Sequence, residues 1–354
     1  VRPGGTRHTR PVERVAGDMS PTSPRVPLSV LDLAPRSQGM TPREAIEEST
    51  LLAQEAEALG YRRFWMAEHH GSDTFMSSAT ALLLGHMAQH TSHIRLGSGG
   101  VMLPNHSSLM VAEYYGTLAT LYGDRFDLGL GRAPGTDPMT AAALARTSGQ
   151  LHDFAAEVTA LHDYLGMPRA GARVRAIPGE GTRVPLWVLG SSTGGAQVAA
   201  ALGLPFSFAS HFAPDQLREA LLVYRSRFNA DAGTAQVERP TVMAGVNVLV
   251  APTQAEADRL FTTAQLMAIR IRSGQPAPLD PPVDDLAAVV PEQLLGLAQA
   301  HQAVRAVGTP ESVVSALEGF VQDHQLDELI VTTYTYDPVL RRRSYQLLAQ
   351  AWGL

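Results

Sequence analysis

The chain contains no cysteine. That one absence excludes disulfides, thiolate nucleophiles and cysteine-based metal centres. It has no apolar run as long as a membrane-crossing helix needs. It has no surplus of basic charge either. Its 28 Lys and Arg face 34 Asp and Glu, for a net charge of −6, so the electrostatic footprint of a nucleic-acid or anionic-membrane binder is missing. Residues 1–24 are rich in Arg and Pro and lack the apolar h-region of a secretory signal. They read as a disordered arm, with Met19 as an alternative start. No internal repeat or linker divides the rest. Apolar residues make up 45% of the 354, enough for a sizeable core. The reading is a cytoplasmic protein with residues 25–354 as one domain.

What is present is an alternation of strand-like and helix-like segments from Val26 onward. Val26 to Leu33 is apolar. Thr41-Pro42-Arg43-Glu44 is a capping box with proline at the first helical position, and its helix stops at Gly60. Strands follow at Arg63 to Ala67, Ile94 to Leu103, Phe126 to Leu130, Pro185 to Leu189, Phe206 to Phe212, Val242 to Val250 and Glu328 to Thr333, with helices between them. Residues 135–182 and the Pro-rich segment 273–305 are irregular. Eight strand–helix units predict a (β/α)₈ TIM barrel with insertions at its C-terminal face. A doubly wound open sheet is the competing architecture. It wants a glycine-rich phosphate turn after the first strand, and here that strand exits into Asp32-Leu33-Ala34-Pro35.

In a barrel the chemistry gathers where strands end. Those ends carry Asp32, Glu68-His69-His70, Gly99-Gly100, Asn105-His106, Arg132, Ser191-Ser192-Thr193, Ser210-His211, Asn247, Tyr334 and Tyr336. Carboxylates paired for glycoside hydrolysis are missing from this set. Glu68-His69-His70 lacks the i,i+4 spacing of a zinc hydrolase, so no metal is expected. The most informative stretch is PLWVLGSSTGGAQVAAALGLP, residues 185–205. It reads strand, Gly/Ser/Thr turn, helix. A helix N-terminus offers unpaired N–H groups and the positive end of a dipole, a ready seat for a phosphate. The same turn matches G-x-S-x-G, the nucleophile elbow of serine hydrolases. In that alternative Ser192 is the nucleophile and His301 or His324 the base, although neither histidine sits at a strand end.

Four ordered motifs carry a resemblance. AEHHG at 67–71, IRLGSGGVMLPNH at 94–106, GDRFDLGLGRAPGTD at 123–137 and LWVLGSSTGGAQVAAALGLP at 186–205 together resemble the bacterial luciferase-like monooxygenase family, over nearly the whole chain from Val26 to Trp352. The resemblance implies a (β/α)₈ barrel that uses reduced FMN, supplied by a separate NAD(P)H:flavin reductase, and O₂ to oxygenate a small organic substrate through a flavin C4a-peroxide. It implies that Arg132 binds the FMN phosphate with Ser191, Ser192, Thr193, Gly194 and Gly195. It places a non-proline cis peptide under the isoalloxazine ring at Gly99-Gly100. His69, with His70 beside it, matches the acid/base histidine near the flavin. Gly131 stands where bacterial luciferase has a reactive cysteine, and Ser191 where it has a glutamate, so light emission is not implied. Gly129-Leu130-Gly131-Arg132 departs from the pattern of the deazaflavin-dependent branch and favours FMN. A homodimer is common in the family. A relative that binds flavin without turnover is the remaining alternative.

Overall fold

A parallel strand covered on both faces must be apolar almost throughout, and that is how the strands of this chain are built. The computed structural model describes residues 25–133, 135–144, 153–301 and 303–354, the side chains of 297–301 excepted. The arm at 1–24 lies outside the described residues.

The elements in chain order are β1 (Leu28–Asp32), α1 (Pro42–Ala58), β2 (Arg63–Met66), α2 (Thr80–His90), β3 (Arg95–Ser98), β4 (Val101–Met102) and α3 (Ser108–Tyr122). Then come β5 (Phe126–Gly131), α4 (Pro138–Ala143), α5 (Phe154–Leu165), β6 (Leu186–Gly190), α6 (Thr193–Leu202), β7 (Phe206–Phe208) and α7 (Leu217–Arg227). The last are β8 (Val242–Val250), α8 (Gln254–Arg272), α9 (Glu292–His301), β9 (Arg305–Gly308), α10 (Pro310–His324), β10 (Glu328–Thr332) and α11 (Pro338–Trp352).

Eight strands close a parallel ring in the order β1-β2-β3-β5-β6-β7-β8-β10, with β10 pairing back to β1. Two short strands lie outside it. β4 pairs with the upper end of β5, and β9 pairs with the upper half of β8 while the lower half of β8 pairs with β10. The sequence reads residues 94–103 as one strand; the structure breaks it at Gly99-Gly100. It also places β9 at the end of a stretch read as irregular.

Local signals work as physics requires. Thr41 accepts from the Glu44 N–H and the Glu44 carboxylate accepts from the Thr41 N–H at 2.7 Å, closing the capping box of α1. Gly60 follows that helix at φ +88°, a left-handed turn that glycine adopts freely.

Side chains alternate across each strand. Leu31, Trp65, Trp187, Met243 and Ile330 belong to an inner cluster, with the two indoles edge to face at 5.5 Å. Leu28, Val30, Phe64, Met66, Leu96, Leu128 and Val188 pack outward under the helices. Charges that open the strands plug the floor. Arg63 pairs with Asp127 at 2.6 Å and with Glu328 at 2.9 Å, and Arg95 pairs with Asp127 at 2.7 Å. Trp65 Nε1 and Ser29 Oγ donate to the same two carboxylates.

Asp32 is a correction to the strand-end list. It shares parity with Leu28 and Val30, so it turns away from the barrel axis and pairs at 2.5 Å with buried Arg341 of α11.

Candidate functional site

The mouth of the barrel is built where strands end and helices begin. β6 ends at Gly190 and α6 begins at Thr193. Ser192 is the N-cap in an extended conformation, and its hydroxyl is not spent on capping the helix. First-turn amides have no acceptor within their own helix. The Thr193 N–H donates to Gln216 Oε1 at 3.3 Å.

Arg132 arrives from β5, the strand paired with β6. A Cβ placed on Gly194 would lie 3.4 and 3.6 Å from the terminal guanidinium nitrogens of Arg132 and 3.7 Å from Ser192 Oγ. The guanidinium and the hydroxyl therefore face one point, and glycine keeps that point open. Exposed Arg132 and the half-buried residues 191–195 thus lie together at the mouth as a cradle of one cation, hydroxyls and helix N-terminal amides. Asp137, five residues after Arg132, is a helix cap. It caps α4, accepting from Met139 N, Thr140 N and Thr140 Oγ1.

Beside the cradle the Gly99-Gly100 peptide is cis. A Cβ on Gly100 would come within 2.8 Å of the Gly129 carbonyl oxygen. Bare backbone thus forms this part of the wall. The His69 ring sits edge-on to Phe75 at 5.2 Å. Burial, aided by His70 next to it, holds its pKa below the ordinary 6.5, so the imidazole is neutral at pH 7.

The sequence lists Glu68, Asn105 and His106 only as strand-end residues. The structure joins them. Glu68 is 2% exposed. Its carboxylate accepts from His70 Nε2 at 2.8 Å, His106 Nε2 at 2.9 Å, Asn105 Nδ2 at 3.2 Å and the Met102 N–H at 3.1 Å. Burial alone pushes its pKa up. The donors, His106 foremost, outweigh that and hold it below the usual carboxylate value. The ligand-type atoms of Glu68, His70 and His106 lie within 4.8 Å of one another. His106 is 38 residues from Glu68, so spacing could not reveal the group.

Other strand-end residues settle into support. The His211 ring packs over Gly245, and its carbonyl accepts from Asn247 Nδ2 at 2.5 Å. Tyr334 is buried, 6.0 Å from the Phe75 ring. Part of the Pro-rich segment crosses the mouth as a strap. Leu279 N donates to Arg36 O, Gln38 N to Leu279 O, and Thr74 Oγ1 to Ala277 O. His324 ends α10, which leads into the floor end of β10. It lies at the opposite end of the barrel from Ser192, so it is no base for a serine nucleophile. The side chain of His301 is outside the described residues.

A closed parallel eight-stranded barrel is an enzyme scaffold whose chemistry sits at the C-terminal ends of its strands. The chain belongs to the luciferase-like monooxygenase family, whose profile matches residues 26–325. A luciferase-like monooxygenase of Escherichia coli K12 is 42% identical over 328 residues, spanning 92% of this chain and 97% of that protein. Apo-MsnO8 superposes with a TM-score of 0.81 at 36% identity, covering 93% of this chain and 99% of its own. Two more distant structures share the fold alone. The oxygenating constituent of 3,6-diketocamphane monooxygenase from Pseudomonas putida, in complex with FMN, is 18% identical at a TM-score of 0.69 and covers 92% of this chain and 97% of its own. An F420-dependent secondary alcohol dehydrogenase is 12% identical at 0.65, covering 92% and 99%. Among the described residues no helix is long and apolar enough to cross a membrane.

Proposed function

We propose that this chain is an FMN-dependent monooxygenase that uses the reduced cofactor and O₂ to oxygenate a small organic substrate. The observation that carries the reading is the convergence of the Arg132 guanidinium and Ser192 Oγ on the open point above Gly194. A bidentate cation, a hydroxyl and a helix N-terminus together suit a phosphate monoester.

The chain's own residues divide the work. Arg132, Ser191, Ser192, Thr193, Gly194 and Gly195 hold the phosphate. The bare Gly99-Gly100 backbone would let the cofactor's ring approach the wall. His69, neutral and half-buried, would donate or accept a proton beside it, with His70 adjacent. The strap at 277–280 and Phe75 keep water from the mouth. Bound reduced flavin supplies two electrons for the activation of O₂. A separate reductase provides the reduced cofactor, and a homodimer is the proposed assembly.

FMN is favoured over a deazaflavin because Arg132 occupies the end of β5. Anaerobic titration of the protein with reduced FMN and with reduced F420 tests the reading. Saturable binding of FMN at lower concentration is expected; preference for the deazaflavin would overturn the cofactor assignment.

A further inference from the structure

We infer that Glu68 is a positioning residue whose one buried carboxylate ties the His69-His70 strand end to the 102–106 segment and fixes both neighbouring imidazoles, His70 and His106, in a single tautomer. The inference rests on the flavin reading only for what the pinned elements would hold.

The chemistry follows from proton counting. An ionised carboxylate only accepts hydrogen bonds. Oε1 faces His70 Nε2, His106 Nε2 and Asn105 Nδ2, while Oε2 faces the Met102 N–H and, at 3.0 Å, His106 Nε2 again. Every one of these nitrogens must therefore carry a proton toward Glu68. Both imidazoles are thus Nε2–H donors to Glu68, which leaves Nδ1 as the ring nitrogen turned away from it. Glu68 stands beside them as a carboxylate does beside a catalytic histidine.

A cation held by Glu68, His70 and His106 would need bare Nε2 lone pairs, so metal binding and the hydrogen-bonded arrangement exclude each other at this cluster.

The mechanical consequence concerns spacing. Met102, Asn105 and His106 lie on the segment that leaves Gly99-Gly100, and Glu68 precedes His69. One side chain thus links the Gly99-Gly100 backbone wall to the strand end that carries His69. Tyr115 of α3 and the imidazole of His69 are the other titratable groups near this carboxylate.

The test uses Glu68→Gln, isosteric but able to present an amide N–H₂ to its former donors. In wild-type protein without cofactor, ¹⁵N-resolved imidazole spectra above the histidine titration range should show His70 and His106 both as Nε2–H. In Glu68→Gln at least one imidazole should move to Nδ1–H. Amide exchange at Met102 should accelerate while exchange in distant strands such as β7 does not. FMN affinity should fall by roughly tenfold.

The inference is overturned if both imidazoles keep their wild-type tautomers and Met102 its protection in the variant. Tight one-to-one zinc binding by chelator-treated wild-type protein, lost in His106→Gln, would overturn it in favour of a metal centre. Arg132→Ala separates this claim from the cofactor reading. It should weaken FMN binding and leave the imidazole spectrum and Met102 exchange unchanged, so failure of either claim is visible without the other.

Discussion

The two ends of the barrel use charge in opposite ways. At the floor, Arg63, Arg95, Asp127 and Glu328 are paired with one another, and the two carboxylates also take bonds from Trp65 and Ser29. Two cations meet two anions and the end is sealed. At the mouth, the buried anion Glu68 is surrounded by groups that are neutral or titratable, and the cation Arg132 sits exposed at the lip of a glycine turn. Charge that is satisfied internally makes a plug. Charge held at the exposed rim, beside a glycine turn, is what the proposed phosphate site would use. Both ends come from the same strands, so which end of a strand a charged residue occupies decides its use.

The contrast is sharpest at Asp127. Replacing it with Asn leaves buried Arg63 and half-buried Arg95 against a neutral side chain, and breaking the buried Arg63 pair costs about 3–5 kcal/mol. Urea denaturation should show that loss with no change in the preference for FMN over riboflavin. A variant as stable as wild type would mean that the floor is not a plug.

Arg132→Ala should do the reverse. It should weaken FMN binding by about 1.5–3 kcal/mol, the worth of a charge-assisted bond, with the thermal midpoint unmoved. Fluorescence titration and calorimetry read the two effects separately.

Glu68→Gln falls between, because Glu68 is buried like the floor acids but serves the mouth. At pH 7 a stability loss of about 1–3 kcal/mol is expected. The folded carboxylate has its pKa lowered from 4.5, so its contribution is complete above that value and vanishes as pH falls through the lower, folded one. The gap between wild type and variant should close in acid. A gap independent of pH would show that shape, not charge, matters there.

The smallest effect belongs to His69. Its pKa is lowered from 6.5 by burial and by His70. Below that value the unfolded chain takes up a proton that the folded chain resists, and stability drops as pH falls. His69→Gln should flatten this part of the pH–stability curve. A slope identical to wild type would mean that the ring is freely solvated.

Much of this was legible in the residues. The capping box at Thr41, the stop at Gly60, the eight ring strands and the Gly-rich turn after β6 are local signals, set by backbone chemistry within a few positions. The adjacency of Arg132 to that turn followed from the order of the ring strands. What the residues hide is long-range. β9 is four residues long and follows a Pro-rich stretch, too short to show a period. The break in residues 94–103 depends on how Gly99-Gly100 packs against β5. Asp32 was misplaced because strand parity, not position at a strand end, decides which way a side chain points. The hub at Glu68 brings together groups 34 to 38 residues apart. A signal for the floor did exist: Arg63, Arg95 and Glu328 are single charges at the first position of otherwise apolar strands, and Asp127 stands at the second.

The most direct measurement compares FMN with riboflavin, which lacks only the phosphate, in wild type and in Arg132→Ala. The account predicts that wild type binds FMN at least about tenfold more tightly than riboflavin, and that the variant binds the two alike. Equal affinity of the wild-type protein for both would contradict it.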